Sequence, residues 1–185
     1  MQRHWLVTLQ NISSSGRSWD ADVPKALLQD ETCGSVNVLP GLTGDVHWRL
    51  ELTRVAKFFH LSGDWKAGLM RDCSRCNAEF EWSTTGKTER FFQFGSPIKE
   101  KGDEQDSDEE DERAYDFIAK PGDINLLDVL REDVWLAWKA DVICSDSCKG
   151  LCQGCGVNLN TDTCQCEQDD SNNPFAALRS LKLDG

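Results

Sequence analysis

An α+β protein is predicted, built as an antiparallel β-meander with a C-terminal helix and a cysteine-rich zinc-binding tail, and three observations predict it. Val46, Trp48, Leu50 and Leu52 alternate with His47, Arg49, Glu51 and Thr53, the period of two of a strand buried on one face. Leu127, Leu130, Val134 and Trp138 recur at i, i+3, i+7 and i+11, which gathers them on one face of a helix. Six of the nine cysteines (Cys144, Cys148, Cys152, Cys155, Cys164 and Cys166) crowd one C-terminal stretch. Together these divide the chain into a β-rich domain over 1–98, an acidic insert over 99–120, and a segment over 121–185 holding the helix, the cysteine tail and a short terminal helix.

The first forty residues carry the weakest pattern. Trp5 to Leu9 is compatible with a short strand, and Val23 to Leu28 with a short turn or helix. Val36 and Val38 alternate, but Pro40 stands where a third apolar residue is needed, so no strand is assigned there. From Val46 onward the signal is clear. A second run places Phe59, Leu61, Trp65, Ala67 and Leu69 on one face and His60, Ser62, Asp64, Lys66 and Met70 on the other. Gly63 falls on the apolar face and is read as a bulge. Ala78, Phe80 and Trp82 alternate next, and Arg90 to Phe94 continues in β-favouring residues up to Gly95 and Pro97. Cys73-Ser-Arg-Cys76 then sits at the turn of a hairpin. Trp48, Trp65 and Trp82 lie on apolar faces, so core packing is preferred over stacking on nucleobases.

Pro121-Gly122-Asp123 marks a turn, after which the helix is expected from about Ile124 to about Lys139. Near the C-terminus Asn173 can cap, Pro174 suits a first helical position, and Phe175, Leu178 and Leu181 share a face.

The net charge is −12, yet eight acidic residues and no basic one lie between Gly102 and Glu112; without those eight the charge is −4. Such a run is read as a solvated, disordered insert. From Arg49 to Arg90 eight basic residues face six acidic ones, so total charge does not exclude contact with RNA. The N-terminal residues lack the apolar run of a secretory signal, and no apolar stretch approaches the ~18–20 residues that span a bilayer. The expectation is a cytoplasmic protein without membrane contact, in which thiols stay reduced. An odd number of cysteines also suits metal ligation better than a complete disulfide framework.

Structural zinc takes four tetrahedral ligands, commonly from two closely spaced pairs. Cys152-Gln-Gly-Cys155 is one such knuckle, and Cys164-Gln-Cys166 supplies a second pair eight residues later. Cys144 and Cys148 then pair with Cys73 and Cys76, fastening the tail to the β-domain and leaving Cys33 over. One or two structural Zn2+ are expected. Three alternatives stay open: six tail cysteines sharing one ion, a redox-active Cys73–Cys76 pair, or an iron–sulfur cluster on the same thiolates. Closed all-thiolate sites leave no coordination position for catalysis. His4, His47 and His60 are the only histidines, His47 and His60 are read as solvated, and no nucleophile elbow, phosphate loop or metalloprotease motif is present. No enzyme and no small-molecule substrate are expected.

Three stretches resemble a known family, the YceD-type large ribosomal RNA subunit accumulation proteins of bacteria and plastids. They are Gly63 to Phe80 with its Cys73-Ser-Arg-Cys76, Ile124 to Glu132, and Cys144 through Asn160 followed by Cys164-Gln-Cys166 and Asn173 to Leu181. The similarity runs from about Val36 to the C-terminus. Where similar proteins place a proline after the central helix, this chain has Trp138-Lys-Ala-Asp-Val-Ile143. The resemblance implies a non-enzymatic role in accumulation or processing of 23S ribosomal RNA, with that RNA or precursors of the large subunit as partners, and brings no catalytic residues. Two other readings compete: an adaptor that binds a protein through the acidic insert, and a thiol oxidoreductase using Cys73 and Cys76.

Overall fold

The computed structural model describes residues 4–29, 39–95 and 115–166. Cys33, the Val36–Val38 alternation, the acidic run and the helix expected from Asn173 lie outside them. The strands are β1 (Leu6–Thr8), β2 (Arg17–Val23), β3 (Val46–Val55), β4 (Phe58–Asp72), β5 (Glu79–Phe94), β6 (Tyr115–Ile118) and β7 (Asp123–Asn125). The helices are α1 (Lys25–Leu28) and α2 (Leu126–Leu136). Among the described residues, no helix is long and apolar enough to cross a membrane. The chain divides into two compact units: Met1–Arg71 with Phe80–Ala140, and Asp72–Glu79 with Asp141–Gly185.

The first unit is built on a five-stranded sheet in the order β2-β3-β4-β5-β6, with β1 and β7 forming a separate antiparallel pair. The alternation read in β3 and β4 is what the sheet buries. Trp48, Leu50 and Leu52 of β3 and Phe59, Leu61, Trp65, Ala67 and Leu69 of β4 all enter the core, where Leu126, Leu130 and Val134 of α2 join them. Trp48 and Trp65 are core residues, as their positions required. Asn125 caps α2 by accepting from the Leu127 N–H at 3.2 Å. Inside the unit the buried Asp133 of α2 accepts from Thr88 at 2.5 Å and Arg90 at 2.6 Å, and Thr88 in turn accepts from the Trp48 indole at 3.2 Å. Burial raises the Asp133 carboxyl above the ordinary carboxylate range, while the Thr88 and Arg90 donors work the other way.

Four expectations are corrected. The acidic insert was carried to residue 120, but Tyr115–Ile118 is strand β6. That strand pairs with β5 in parallel, Phe91 opposite Tyr115, so the meander is not antiparallel throughout. Phe80, Trp82 and the continuation over Arg90 to Phe94 do lie on one sixteen-residue strand, β5. Gly63 is no bulge, because β3 and β4 keep one-to-one register through it, with Leu50 opposite Gly63 and Leu52 opposite Leu61. A Cβ there would come within 2.1 Å of the Arg49 carbonyl oxygen, so close approach of backbones is what demands glycine. Last, α2 is shorter than expected, since Ile124 and Asn125 are taken by β7 and the helix stops before Ala137. Strand β2 was not foreseen, although Trp19, Ala21 and Val23 alternate with polar residues; Trp19 and Val23 are buried. His60 is not merely solvated, because its ring stacks on Phe91 with centroids 4.4 Å apart.

Candidate metal centres

The second unit carries eight cysteines in two groups of four. Cys73, Cys76, Cys144 and Cys148 converge in one, and Cys152, Cys155, Cys164 and Cys166 in the other, with the sulfurs of each group within 4.8 Å of one another. None of the eight is in a disulfide. The six tail cysteines therefore do not gather into a single group, and Cys73 and Cys76 sit at a turn between two strands with no helix opening at them.

Local backbone chemistry explains how each knuckle forms. In Cys73-Ser-Arg-Cys76-Asn77-Ala78 the Cys73 N–H donates to the Ala78 carbonyl at 2.9 Å and the Asn77 N–H to the Cys73 carbonyl at 2.8 Å. Cys152-Gln-Gly-Cys155-Gly156-Val157 repeats it, with Cys152 N–H to Val157 at 2.8 Å and Gly156 N–H to Cys152 at 2.9 Å. The residue after the second cysteine is left-handed in both, Asn77 at φ 56° and Gly156 at φ 73°. Asparagine and glycine are the residues that accept that conformation at least cost. The turn thus holds two thiols on one side while N–H groups point at sulfur. Cys144 N–H lies 3.3 Å from the Cys73 sulfur, Gly154 N–H 3.4 Å from Cys152, and Cys166 N–H 3.2 Å from Cys164.

The tail is stitched to the first knuckle within the unit. Ser74 N–H donates to the Val142 carbonyl at 2.8 Å, Leu151 N–H to the Arg75 carbonyl at 3.0 Å, and the Arg75 guanidinium to the Cys148 carbonyl at 3.3 Å. Gly150, at φ 76°, lets the chain pass Arg75, whose carbonyl oxygen a Cβ would approach to 3.0 Å. Asn160 lies in the loop between Cys155 and Cys164, yet its side-chain amide donates to the Cys148 sulfur of the other group at 3.4 Å. No spacing rule points to Asn160, Asn77 or Gly150 as supports of the site; the only sequence signal is a residue tolerant of left-handed backbone directly after a CxxC.

The donor set fits a soft dication. Metal–sulfur bonds of about 2.3 Å in a tetrahedron put the sulfurs about 3.8 Å apart. In the first group Cys73–Cys148 and Cys76–Cys144 are each at 3.8 Å. The second is tighter, with Cys152–Cys164 at 3.1 Å and Cys155–Cys164 at 3.6 Å. The thiols titrate far apart within each group. Burial opposes ionisation of Cys73, but the N–H groups of Cys144, Cys76 and Arg75 outweigh it and bring the thiol down to about 6. Burial, then the neighbouring thiols, push Cys144 up to about 12. In the second group the Cys155 N–H, the Cys164 thiol and the Gly154 N–H lower Cys152 to about 6, while Cys164 and Cys155 raise Cys166 to about 12. Four thiols in one small volume cannot all ionise unaided, and a bound dication removes that conflict. The two groups could hold metal ions.

A β-sheet unit and a unit with two four-cysteine groups define the class: a β-rich protein carrying paired cysteine knuckles that could hold metal ions. The model of the family described as "Large ribosomal RNA subunit accumulation protein YceD" matches residues 61–182, which take in both cysteine groups. That is well over half of the chain, and the chain belongs to this family. It is similar to "Large ribosomal RNA subunit accumulation protein YCED homolog 1, chloroplastic" of Arabidopsis thaliana, 30% identical over 95 residues that cover 49% of this chain and 29% of the relative. The Zea mays protein of the same name is 38% identical over 58 residues, covering 31% of this chain and 20% of the relative. The matches thus span less than a third of these relatives' lengths. No solved structure matches the chain.

Proposed function

We propose that this protein is a non-catalytic factor for the accumulation and processing of 23S ribosomal RNA during large-subunit assembly, with one structural Zn2+ in each cysteine group. The observation that carries the reading is the family match over residues 61–182, a range that takes in part of the sheet, α2 and both knuckles. The partners would be 23S RNA or components of the assembling subunit. Four thiolates around one ion leave no position for substrate, which favours a structural metal over a catalytic one. Zinc suits an all-thiolate tetrahedron and brings no redox chemistry of its own. The histidines offer no competing centre among the described residues, since His47 is held by Asp22 at 2.9 Å and His60 stacks on Phe91. The free thiols suit a reducing compartment, and we assign the chain to the cytoplasm.

Depletion of the protein in its host should lower large-subunit relative to small-subunit ribosomal RNA, with recovery on re-expression. An unchanged ratio on full depletion would refute the assignment. Metal analysis after mild purification should find two equivalents of zinc per chain, and less than about half an equivalent would remove the metal from the account.

A further inference from the structure

We infer that the second cysteine group is a site of oxidative modification, where a peroxide joins Cys155 to Cys164 and so frees that group's metal while the first group stays loaded. The metal part rests on the proposed zinc sites; the cysteine linkage does not.

The two groups share a backbone design but not an environment. Cys73, Cys76 and Cys148 are buried, at 1%, 5% and 7% exposure, and Cys144 is the one exposed member. In the second group Cys155 and Cys166 are exposed and Cys152 and Cys164 are half-buried. An oxidant therefore meets the second group first, because thiolate oxidation follows access. Within it, Cys164 lies 3.1 Å from the half-buried Cys152 and 3.6 Å from the exposed Cys155; the exposed sulfur meets the peroxide first, so Cys155 is the one that Cys164 then attacks. The two are close enough for attack without rebuilding the fold.

The step balances. The Cys155 thiolate attacks the O–O bond of the peroxide, takes one oxygen as a sulfenic acid and releases hydroxide. The Cys164 thiolate then attacks that sulfur, the S–S bond forms and a second hydroxide leaves. Two thiolates have given up two electrons, and one hydrogen peroxide has become two hydroxides. Cys152 and Cys166 remain, and two thiolates no longer close a tetrahedral site. The loop that the new bond closes is tied to the first group's segment: the Asn160 amide donates to the Cys148 sulfur at 3.4 Å and accepts from the Lys149 N–H at 2.8 Å, and the Leu159 N–H donates to the Gly150 carbonyl at 2.9 Å. The first site should feel the change as a weaker hold on its metal, not as its loss.

The test uses the full-length protein with its zinc counted beforehand. Hydrogen peroxide is added in substoichiometric steps while a chromogenic chelator reads the metal set free. Cleavage before Asp162 separates Cys152 and Cys155 from Cys164 and Cys166, so a cross-link appears as joined peptides, and fragmentation assigns the partners. The expected result is one equivalent released, one retained, and Cys155 joined to Cys164. In Cys164→Ser, a sulfenic-acid reagent should label Cys155. Oxidation appearing first in Cys73, Cys76, Cys144 or Cys148, release of both metals together, or a dominant linkage other than Cys155–Cys164 would overturn the inference. Protein found without zinc at the start refutes the metal reading alone, because the linkage is still read by mass.

Discussion

Complete removal of metal should unfold the cysteine unit and leave the sheet unit intact. The reason is the distribution of apolar burial. The hydrophobic core draws on Trp5 through Val134, with Trp138 packed against it, and includes no residue from 72–79 or 141–166. Apart from cysteines, Val142 is the one buried hydrophobic among the described residues of the cysteine unit. Burying a valine contributes about 1.5–3 kcal/mol, whereas fixing each backbone residue costs about 1–2 kcal/mol. The unit cannot hold its shape on that burial. A structural zinc supplies about 10–16 kcal/mol in small zinc-dependent folds; at about 1.4 kcal/mol per decade, losing one ion shifts the local folding equilibrium by about seven to eleven decades. Hydrogen exchange read by mass spectrometry, before and after a strong zinc chelator under reducing conditions, measures this directly. The amides of Cys73, Asn77, Leu151, Cys152, Gly156 and Leu159, all hydrogen-bonded within the unit, should fall to nearly unprotected rates. Those of β3, β4 up to Leu69 and α2 should keep their protection. Retained protection in the knuckles of fully metal-free protein, or simultaneous loss in β3, would refute the reasoning.

Other expectations follow from single contacts. Asn160→Ala removes the donor at 3.4 Å from the Cys148 sulfur and should weaken the first site about tenfold in a competitive chelator titration. Metal binding at pH 7 should release close to four protons per ion, because the metal-free unit is unfolded and its thiols then stay protonated at their ordinary value of 9.0; calorimetry in buffers of different ionisation enthalpy counts them. In the folded unit Cys73 and Cys152 lie below the unfolded value of 9.0, so their support for the folded unit is complete above that value and lost as pH falls through about 6. Acid titration should release the metal as protons compete for the ligand thiolates, and metal retained in strong acid would count against thiolate ligation. Gly86→Ala sets a Cβ within 2.3 Å of the buried Trp65 ring and should cost about 1–3 kcal/mol in urea unfolding of the sheet unit. Arg131→Met strips the Leu27 and Leu28 carbonyls of their donors at 2.6 and 3.3 Å, and a loss of about 2–3 kcal/mol is expected in the same assay.

Legibility along the chain followed the contrast between buried and exposed faces. Strands β3 and β4 were readable because each buries one face over many residues, so alternation persists long enough to be distinguished from chance. In β2 the apolar face is reduced to Trp19, Ala21 and Val23 between Ser18, Asp20 and Asp22, too short an alternation to mark a strand. The pairing of β6 was beyond reach. Four residues beyond an acidic run carry no mark of a partner, and a parallel pair needs a long connection that sequence does not specify. The end of α2 was overestimated because Trp138 continues the apolar period and packs against the core after the helix has stopped. A side chain can keep the period of a helix without its backbone being helical.

For the cysteines, the sequence by itself determined which residues could act together as pairs. A CxxC turn brings two thiols to one side through bonds between neighbouring peptide groups, and such local chemistry is visible in spacing. It also carried the family resemblance, whose quoted residues, Gly63 to Leu181, all fall in the matched range 61–182. What only the tertiary structure decided is which pairs share a volume and how unequal the two volumes are. Cys73 and Cys148 are 75 residues apart in the chain and their sulfurs 3.8 Å apart in space. The exposure of Cys155 and the reach of Asn160 from one group to the other likewise depend on how distant segments pack. Local spacing fixes geometry over a few bonds; solvent access and long-range contact are set by the whole fold.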